Sequence, residues 1–182
     1  MPWNDQELTV LNVDPLEIFS AKTVALLNRA APRDLYDMFN MQKYGLFDET
    51  QEPLFRKCIM FYAAIASEYF DLNGIGSISA RKIRTDLTPV LRRGERFDLA
   101  CAQKQVKDYL AAILKPEDTE LSFWQAFAEG NYQPGLLFDD ADILSRVGNA
   151  AGGCQSKKIH RHYNEYIPRA VLPGSSFILA RG

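Results

Sequence analysis

Apolar residues recur every three or four positions along most of the first 149 residues, the spacing that puts them on one face of an α-helix. Apart from Leu8–Val13, this part of the chain shows no convincing two-residue alternation of a half-buried strand. The sequence therefore predicts a mainly α domain. The predicted helices cover about residues 14–30, 32–44, 54–73, 99–113, 116–130 and 140–148, and a further helix begins at Ser79 and is interrupted near Thr88-Pro89.

Capping residues indicate where the first two helices begin and end. Asp14 can cap the first helix, Pro15 suits its first turn, and Glu17 follows the cap by three residues. Pro32 restarts the chain as a second helix, which Gly45 ends. Only a short bend therefore separates the two helices.

The third predicted helix has the broadest apolar face, which is typical of a central helix contacted on several sides. The expected fold is a helical bundle of about six helices, to which the β-prone run Leu8–Val13 could add one short N-terminal strand. In a later helix we expect Leu121, Trp124 and Phe127 to point inward. Aromatic residues at this spacing could stack on bases, but among Leu and Ile they more often belong to the core.

Composition excludes several classes of protein. With 21 Lys and Arg against 23 Asp and Glu, the formal charge of −2 gives no general reason to expect a strong nucleic-acid binder. The sequence contains neither an apolar run long enough to span a membrane nor a signal peptide, and its three cysteines are widely spaced. These features predict a cytoplasmic protein with reduced thiols and no membrane association. The only histidines are His160 and His162, so residues 1–149 cannot build a Ser-His, Cys-His or His-rich metal site.

Charge divides the chain near residue 149. Residues 150–182 carry a net charge of +4, whereas residues 1–149 carry −6. The Gly-rich junction at 148–153 is typical of a flexible linker, so we expect a helical domain over 1–149 and a basic tail over 150–182. Interleaved basic and aromatic residues could let the tail contact RNA. Its low apolar periodicity after a Gly-rich break favours a disordered or aberrant extension instead.

Residues that could carry chemistry cluster around the bend between the first two helices. Lys22 and Arg29 are seven residues apart, so they share a helix face and lie about 10 Å apart along the axis. Asp34 and Asp37 are three residues apart and face one way, and Arg33 is next to them. Two or three cations thus accompany a pair of carboxylates.

Two interpretations of this cluster are open. In the first, it is an ion-paired helical corner, in which Asp34 lies against the amide end of the second helix. Asp37 would then pair with Arg29 or Arg33, and the ammonium of Lys22 would reach outward. In the second interpretation, the cations bind an anionic group such as a triphosphate, and the carboxylates serve a metal ion or a proton. The first arrangement is the commoner one in proteins at large.

Segment 17–37 also carries a family resemblance. Its pattern E-x-x-x-A-K-x-x-A-L-x-x-R-x-x-x-R-D-x-Y-D resembles the C-terminal signature of the AbiEii/AbiGii nucleotidyltransferase toxins, which are the toxin halves of type IV toxin–antitoxin and phage abortive-infection systems. Segment 130–138 is similar to the family's late pattern G-x-Y-x-P-x-L-L-F. The resemblance extends over about residues 8–149.

The resemblance implies roles for the residues around the bend. The lysine at the position of Lys22 is implied to contact the nucleoside triphosphate (NTP), with Arg29 and Arg33 as further nucleotide-binding residues. Asp34 or Asp37 is implied to complete the catalytic site. Mg²⁺ and NTP would be the cofactors of the complete enzyme, RNA such as tRNA its acceptor, and a cognate antitoxin its partner. Nucleotidyl transfer needs a metal on the phosphates, a cation for the pyrophosphate and a base for the attacking hydroxyl.

The sequence departs from the family pattern at the metal site. Family members carry a Gly-Ser or Gly-Gly-Thr loop followed by an Asp-x-Asp pair in an N-terminal domain. Here Gly76-Ser77 has no Asp-x-Asp at a suitable distance, and Asp140-Ala141-Asp142 lies in a predicted helix cap. We therefore expect no metal site in this chain, which would be the C-terminal helical half of such a toxin and inactive alone. The alternative is a non-enzymatic module that binds an antitoxin or a separately encoded catalytic half.

Overall fold

The computed structural model describes residues 13–66 and 71–148. Within these ranges the regular elements are helical, and no strand is present. The helices are α1 (Pro15–Arg29), α2 (Pro32–Lys43), α3 (Glu52–Ala66), α4 (Asn73–Gly76), α5 (Ala80–Lys82), α6 (Leu99–Ile113), α7 (Asp118–Ala128) and α8 (Ala141–Gly148). The predicted mainly α bundle is confirmed. The predicted strand Leu8–Val13 lies outside the described residues except for Val13, and so does the tail 150–182.

The helix caps follow the sequence prediction at the start of α1. The Oδ1 atom of Asp14 accepts a hydrogen bond of 2.8 Å from the backbone N–H of Leu16, and Pro15 occupies the first turn. The predicted interruption near Thr88-Pro89 is also present. There α5 continues into a π turn (Ile83–Leu87) and then a 3-10 turn (Thr88–Val90). A π turn of this kind inserts an extra residue into a helical path.

Two predicted helix boundaries are wrong. Asn73-Gly74 does not end the third helix, because Asn73–Gly76 forms the separate short helix α4. The helix predicted to open at Pro116 begins at Asp118, since Glu117 is its N-cap. The side chains of Glu117 and Glu120 satisfy each other's backbone N–H groups in a capping box, and this fixes the start of α7.

Helix α3 is the centre of the bundle. It packs mainly against α1 and also contacts α6 and α7, which confirms the prediction of a central helix. Its buried side chains are Phe55, Ile59, Met60, Phe61 and Ala63. Around it, α2 packs on α6, so the α1–α2 hairpin covers one side of the core.

The inward face of α7 differs from the predicted one. Phe123 is fully buried beside Phe127, whereas Leu121 and Trp124 are only half-buried. The Nε1 atom of Trp124 donates a hydrogen bond of 2.9 Å to the carbonyl of Met60. Helix α7 is turned this way because Glu120, one turn before Phe123, is also directed into the core.

A buried ion pair joins α3 to α7. The Nε atom of Arg56 lies 2.8 Å from Oε1 of Glu120, whose side chain has no exposed surface. The same guanidinium reaches Glu117 at the surface. Removing one partner of a buried pair leaves the other charge buried and unpaired. This lowers the free energy of unfolding even where the intact pair contributes little net stability. This contact therefore holds the two helices in one register.

We expect Glu120→Ala to lower the free energy of unfolding by about 3–5 kcal/mol, because Arg56 loses its buried partner and α7 loses its capping box. Urea unfolding followed by far-UV circular dichroism measures this. The control is Lys104→Ala, which removes the exposed pair with Asp108 on α6 and should leave the midpoint unchanged. Equal midpoints for the two variants would contradict a structural role for Glu120.

Candidate functional site

The hairpin of α1 and α2 brings together the charged residues of segment 17–37. Ala30 ends α1 in the left-handed region (φ 47°, ψ 52°), and its N–H donates 2.9 Å to the carbonyl of Leu26. Ala31 is extended, and Pro32 begins α2 at once. The left-handed region is unfavourable for a residue with a Cβ, so the hairpin holds Ala30 in a conformation normally left to glycine. The two helices therefore run antiparallel along one seam.

Two ion pairs cross this seam. Farther from the turn, Nζ of Lys22 lies 2.5 Å from Oδ2 of Asp37, and about a third of each side chain is exposed. Nearer the turn, Arg29 forms two hydrogen bonds with Asp34. Its Nε donates to Oδ2 at 2.8 Å, and a terminal guanidinium nitrogen donates to Oδ1 at 3.1 Å. We call these two pairs the seam pairs. They place two cations and two carboxylates side by side.

The seam pairs differ in burial. The carboxylate of Asp34 is 5% exposed, whereas the guanidinium side chain of Arg29 is 64% exposed. The hydrogen bond that Arg29 donates to Asp34, and then the negative charge of that carboxylate, raise the pKa of Arg29 above its ordinary value. Asp34 also lies in the first turn of α2, where a negative charge is favourable. A buried acid thus depends on one exposed cation.

The pairing corrects two expectations. Asp37 bonds Lys22 and not Arg29 or Arg33, and the ammonium of Lys22 does not simply reach outward. Arg29 instead pairs with Asp34. Because α2 begins directly after the turn, Asp34 lies level with the last turn of α1. The ion-paired helical corner is therefore present, with its partners exchanged.

Arg33 connects the hairpin to the π turn. Its Nε donates a hydrogen bond of 3.0 Å to the backbone carbonyl of Asp86. A pocket of about 470 Å³ lies at this junction, lined by Arg29, Ala31, Pro32, Arg33, Thr85 and Asp86. Two exposed guanidinium groups thus border one cavity beside the turn, which suits an anionic ligand. Of the five predicted site residues, the structure joins four in the seam pairs and places Arg33 at the adjacent pocket.

The carboxylates of the described residues are not clustered. Over 13–66 and 71–148, no three or more His, Cys, Asp or Glu side chains are grouped so that they could hold a metal ion. Mg²⁺ in phosphate-transfer sites takes carboxylates and phosphate oxygens in an octahedral arrangement, and Asp34 and Asp37 are each engaged by a cation. Asp140 is a helix cap whose Oδ1 accepts from the N–H groups of Asp142 and Ile143. The Asp-x-Asp pattern of Asp140 and Asp142 therefore belongs to the start of α8.

A second cavity, of about 220 Å³, lies between α1, α3 and α8, where Glu17 and Arg146 form an ion pair of 3.2 Å. Cys58 lines it, and burial raises the pKa of this thiol to about 12. A thiol with so high a pKa stays protonated at neutral pH and is a poor nucleophile. The walls are mainly apolar, with Leu16, Phe61 and Ile65 among them. The charged groups that line it are Asp14, Glu17 and Arg146, whereas the hairpin places two cations and two carboxylates side by side.

Comparison with known families assigns the chain. Residues 2–129 match the family model of the nucleotidyl transferase AbiEii toxins of type IV toxin–antitoxin systems. The match covers more than two thirds of the 182 residues and includes the whole α1–α2 hairpin. The chain therefore belongs to the AbiEii family of nucleotidyltransferase-type toxins, as its segment 17–37 indicates. The match ends before segment 130–138, whose resemblance to the family stays a prediction.

The other comparisons add no relative. Neither a search of curated proteins nor a search of solved structures gives a match. In the residues that the structure describes, no helix combines the length and the apolar character needed to cross a bilayer. Membership of the AbiEii family and the geometry of the α1–α2 hairpin are thus the two observations that bear on function.

The pair of Arg29 and Asp34 predicts a strong coupling in a double-mutant cycle. Arg29→Ala should cost about 1–3 kcal/mol of stability, because the carboxylate of Asp34 stays buried without its cation. In an Asp34→Asn background the same change should cost much less, since no buried charge is left. Urea unfolding of the four proteins gives the coupling energy. If Arg29→Ala costs the same in both backgrounds, the pair carries no stabilising interaction.

Proposed function

We propose that the α1–α2 hairpin binds the phosphates of an NTP in a reaction that transfers a nucleotide to RNA. The observation that carries this proposal is the pair of cations on one seam, Lys22 and Arg29, with Arg33 at the neighbouring pocket. Family membership supports nucleotidyl transfer as the type of reaction. Arginine forks and a lysine ammonium are the groups that proteins use to hold phosphates.

In this proposal the phosphates compete with the site's own carboxylates. Lys22 is about one third exposed and Arg29 is nearly two thirds exposed, so both can turn towards a ligand without unfolding the hairpin. When Lys22 moves to a phosphate, Asp37 is released. A free carboxylate beside the phosphates can accept the proton of the attacking hydroxyl or join a metal site. Asp34, being buried, keeps its place at the start of α2 and orients Arg29.

The metal requirement places a further condition on this reaction. Mg²⁺ would neutralise the charge that develops on the transferred phosphoryl group. Because the described residues hold no group of three metal ligands, the remaining carboxylates would come from residues outside the described ranges or from another polypeptide. We therefore propose that this helical unit acts as the C-terminal part of the complete catalytic assembly and has no activity by itself.

A non-enzymatic role is the second candidate. Its support is the same lack of a metal cluster in the described residues, together with a family in which a toxin has an antitoxin partner. The chain would then bind a cognate antitoxin or a separately encoded catalytic half. The neighbouring DNA separates the two candidates. An adjacent reading frame with the Gly-Ser and Asp-x-Asp motifs supports a divided enzyme, whereas their absence favours an independent binding module.

Nucleotide binding tests the role of Lys22. We expect Lys22→Gln to weaken the binding of fluorescently labelled NTPs in the presence of Mg²⁺ by about tenfold or more, because a charge-assisted contact to phosphate is lost. The matched control is Lys107→Gln, which removes an exposed lysine on α6 and should bind as the parent does. Unchanged binding by Lys22→Gln, or equal losses in both variants, would remove the phosphate role of Lys22.

Transfer activity tests the dependence on outside carboxylates. We expect the chain alone to attach no radiolabelled nucleotide to bulk tRNA in the presence of all four NTPs and Mg²⁺, because the described residues lack the metal ligands. Labelling should appear when a polypeptide with the Gly-Ser and Asp-x-Asp motifs from the same locus is added. Robust labelling by the chain alone contradicts this account of the metal site.

A further inference from the structure

Outside the hairpin, the strongest concentration of charge lies on the segment between α4 and α6. Within residues 81–96 the chain carries Arg81, Lys82, Arg84, Arg92, Arg93 and Arg96. All six residues are exposed. None of the six forms an ion pair with a carboxylate of residues 13–66 or 71–148, where the other pairs are formed by different cations. We call this segment the basic segment.

The fold turns these cations towards solvent. Ile83 and Leu87, at either end of the π turn, are buried and fix its inner side. The acids of the segment are used locally. Asp86 accepts from Thr85, and Glu95 accepts from the hydroxyl of Tyr36 at 2.6 Å. The six cationic side chains therefore form no ion pair among the described residues, although Glu95 accepts from the backbone N–H of Arg92 and residues 1–149 are acidic as a whole.

The basic segment follows α2 along its length. Arg33 bonds the carbonyl of Asp86 near the start of α2, and the ring of Phe97 packs edge-on against Tyr36 and Phe39 half-way along it, with centroids 5.7 and 5.9 Å apart. The hydroxyl of Tyr36 donates to Glu95, and this hydrogen bond, followed by the backbone N–H and charge of Arg92 and then the charge of Lys43, lowers the pKa of Glu95. The basic segment thus lies beside α2, with Arg33 and Lys43 of that helix next to it.

An exposed aromatic ring ends this surface. Tyr44 follows α2 directly and is 73% exposed, and the ammonium of Lys43 lies 5.4 Å from the centre of its ring. Large exposed aromatic side chains next to cations are characteristic of surfaces that hold single-stranded nucleic acid, since the ring stacks on a base while the cations track the phosphates.

We propose that α2 and the basic segment form the surface that holds the phosphate backbone of an RNA strand, with Tyr44 stacking on an unpaired base. Five of the six cations are arginines, whose planar forks match phosphate geometry. This proposal rests on the proposed function, because the surface begins at the pocket beside the seam pairs and would lead an acceptor strand towards the nucleotide. It differs from that function in needing neither NTP nor metal.

The test is binding of fluorescently labelled bulk tRNA to the full chain, measured by anisotropy without NTP or Mg²⁺. We expect Arg92→Gln/Arg93→Gln/Arg96→Gln to weaken binding by about tenfold or more at 0.1 M salt and to reduce the slope of log affinity against log salt by about 2, since three phosphate contacts are lost. The matched control Lys104→Gln/Lys107→Gln/Lys115→Gln removes the same charge outside the basic segment and should change binding by less than about threefold.

Further variants separate the remaining explanations. Tyr44→Leu should weaken binding of a single-stranded RNA by about fivefold or more and leave the salt slope unchanged, because stacking is not ionic.

The third triple variant, Lys157→Gln/Lys158→Gln/Arg161→Gln, tests the basic tail. Equal losses in the basic-segment variant and the Lys104/Lys107/Lys115 control, loss only in the tail variant, or no tRNA binding by the parent would overturn the proposal. So would binding to anionic lipid vesicles but not to tRNA.

The design keeps this proposal distinct from the proposed function. If Lys22→Gln loses NTP binding but keeps tRNA binding, the basic segment stands as a separate surface. If the basic-segment variant loses tRNA binding and keeps NTP binding, both proposals hold. Because the six cations are exposed and unpaired among the described residues, their variants should melt at the parent temperature. A single variant, Arg93→Gln, gives a smaller loss in the same direction should a triple variant be unstable.

Discussion

The candidate site depends on how abruptly the chain reverses between α1 and α2. Ala30 takes up a left-handed conformation and Ala31 an extended one, so only two residues separate the helices. The distance of each residue from the turn then determines its partner across the seam. Arg29 meets Asp34 close to it, and Lys22 meets Asp37 about two turns farther along α1. A looser connection would leave the same side chains on the same helices without bringing them together.

The two kinds of positive charge on this molecule have different physical consequences. The cations of the seam pairs are neutralised by carboxylates and contribute to holding the hairpin closed. Those of the basic segment form no ion pair among the described residues, and they act on ions and ligands within about 10 Å at physiological salt. In the two proposals, an anion would meet the basic segment first and would then displace Asp37 to reach Lys22. Attraction and selection would thus lie on neighbouring surfaces.

Much of the helical layout follows from local rules. Asp14, Pro15 and Pro32 set helix starts through backbone hydrogen bonding and a fixed φ, and these effects need no knowledge of the rest of the chain. The pairing across the seam could not be obtained in this way, because helical periodicity gives the face of each helix but not the rotation of one helix about the other. The left-handed Ala30 was also beyond prediction, since nothing local favours that conformation for alanine.

The inward face of α7 differs in part from the predicted one, because Glu120 and Phe123 are buried where Leu121 and Trp124 were expected. Acidic side chains are seldom fully buried unless they are paired, and Arg56, the partner of Glu120, lies 64 residues away in the sequence. The basic segment could not be predicted from the sequence either. Its cations are spread over α5, the π turn and the loop that follows, and only the fold shows that Ile83 and Leu87 point inward and leave the charges outside.

The short turn at Ala30 also ties the two seam pairs to each other. Asp34 and Asp37 lie on the same helix as Leu35 and Met38, which are buried in the core. A residue inserted between Arg29 and Pro32 would have to be looped out of the turn, or α2 would shift relative to α1. Any such shift moves both carboxylates together, because an α-helix fixes the positions of its side chains relative to one another. A change of length at this turn therefore acts on both ion pairs at once.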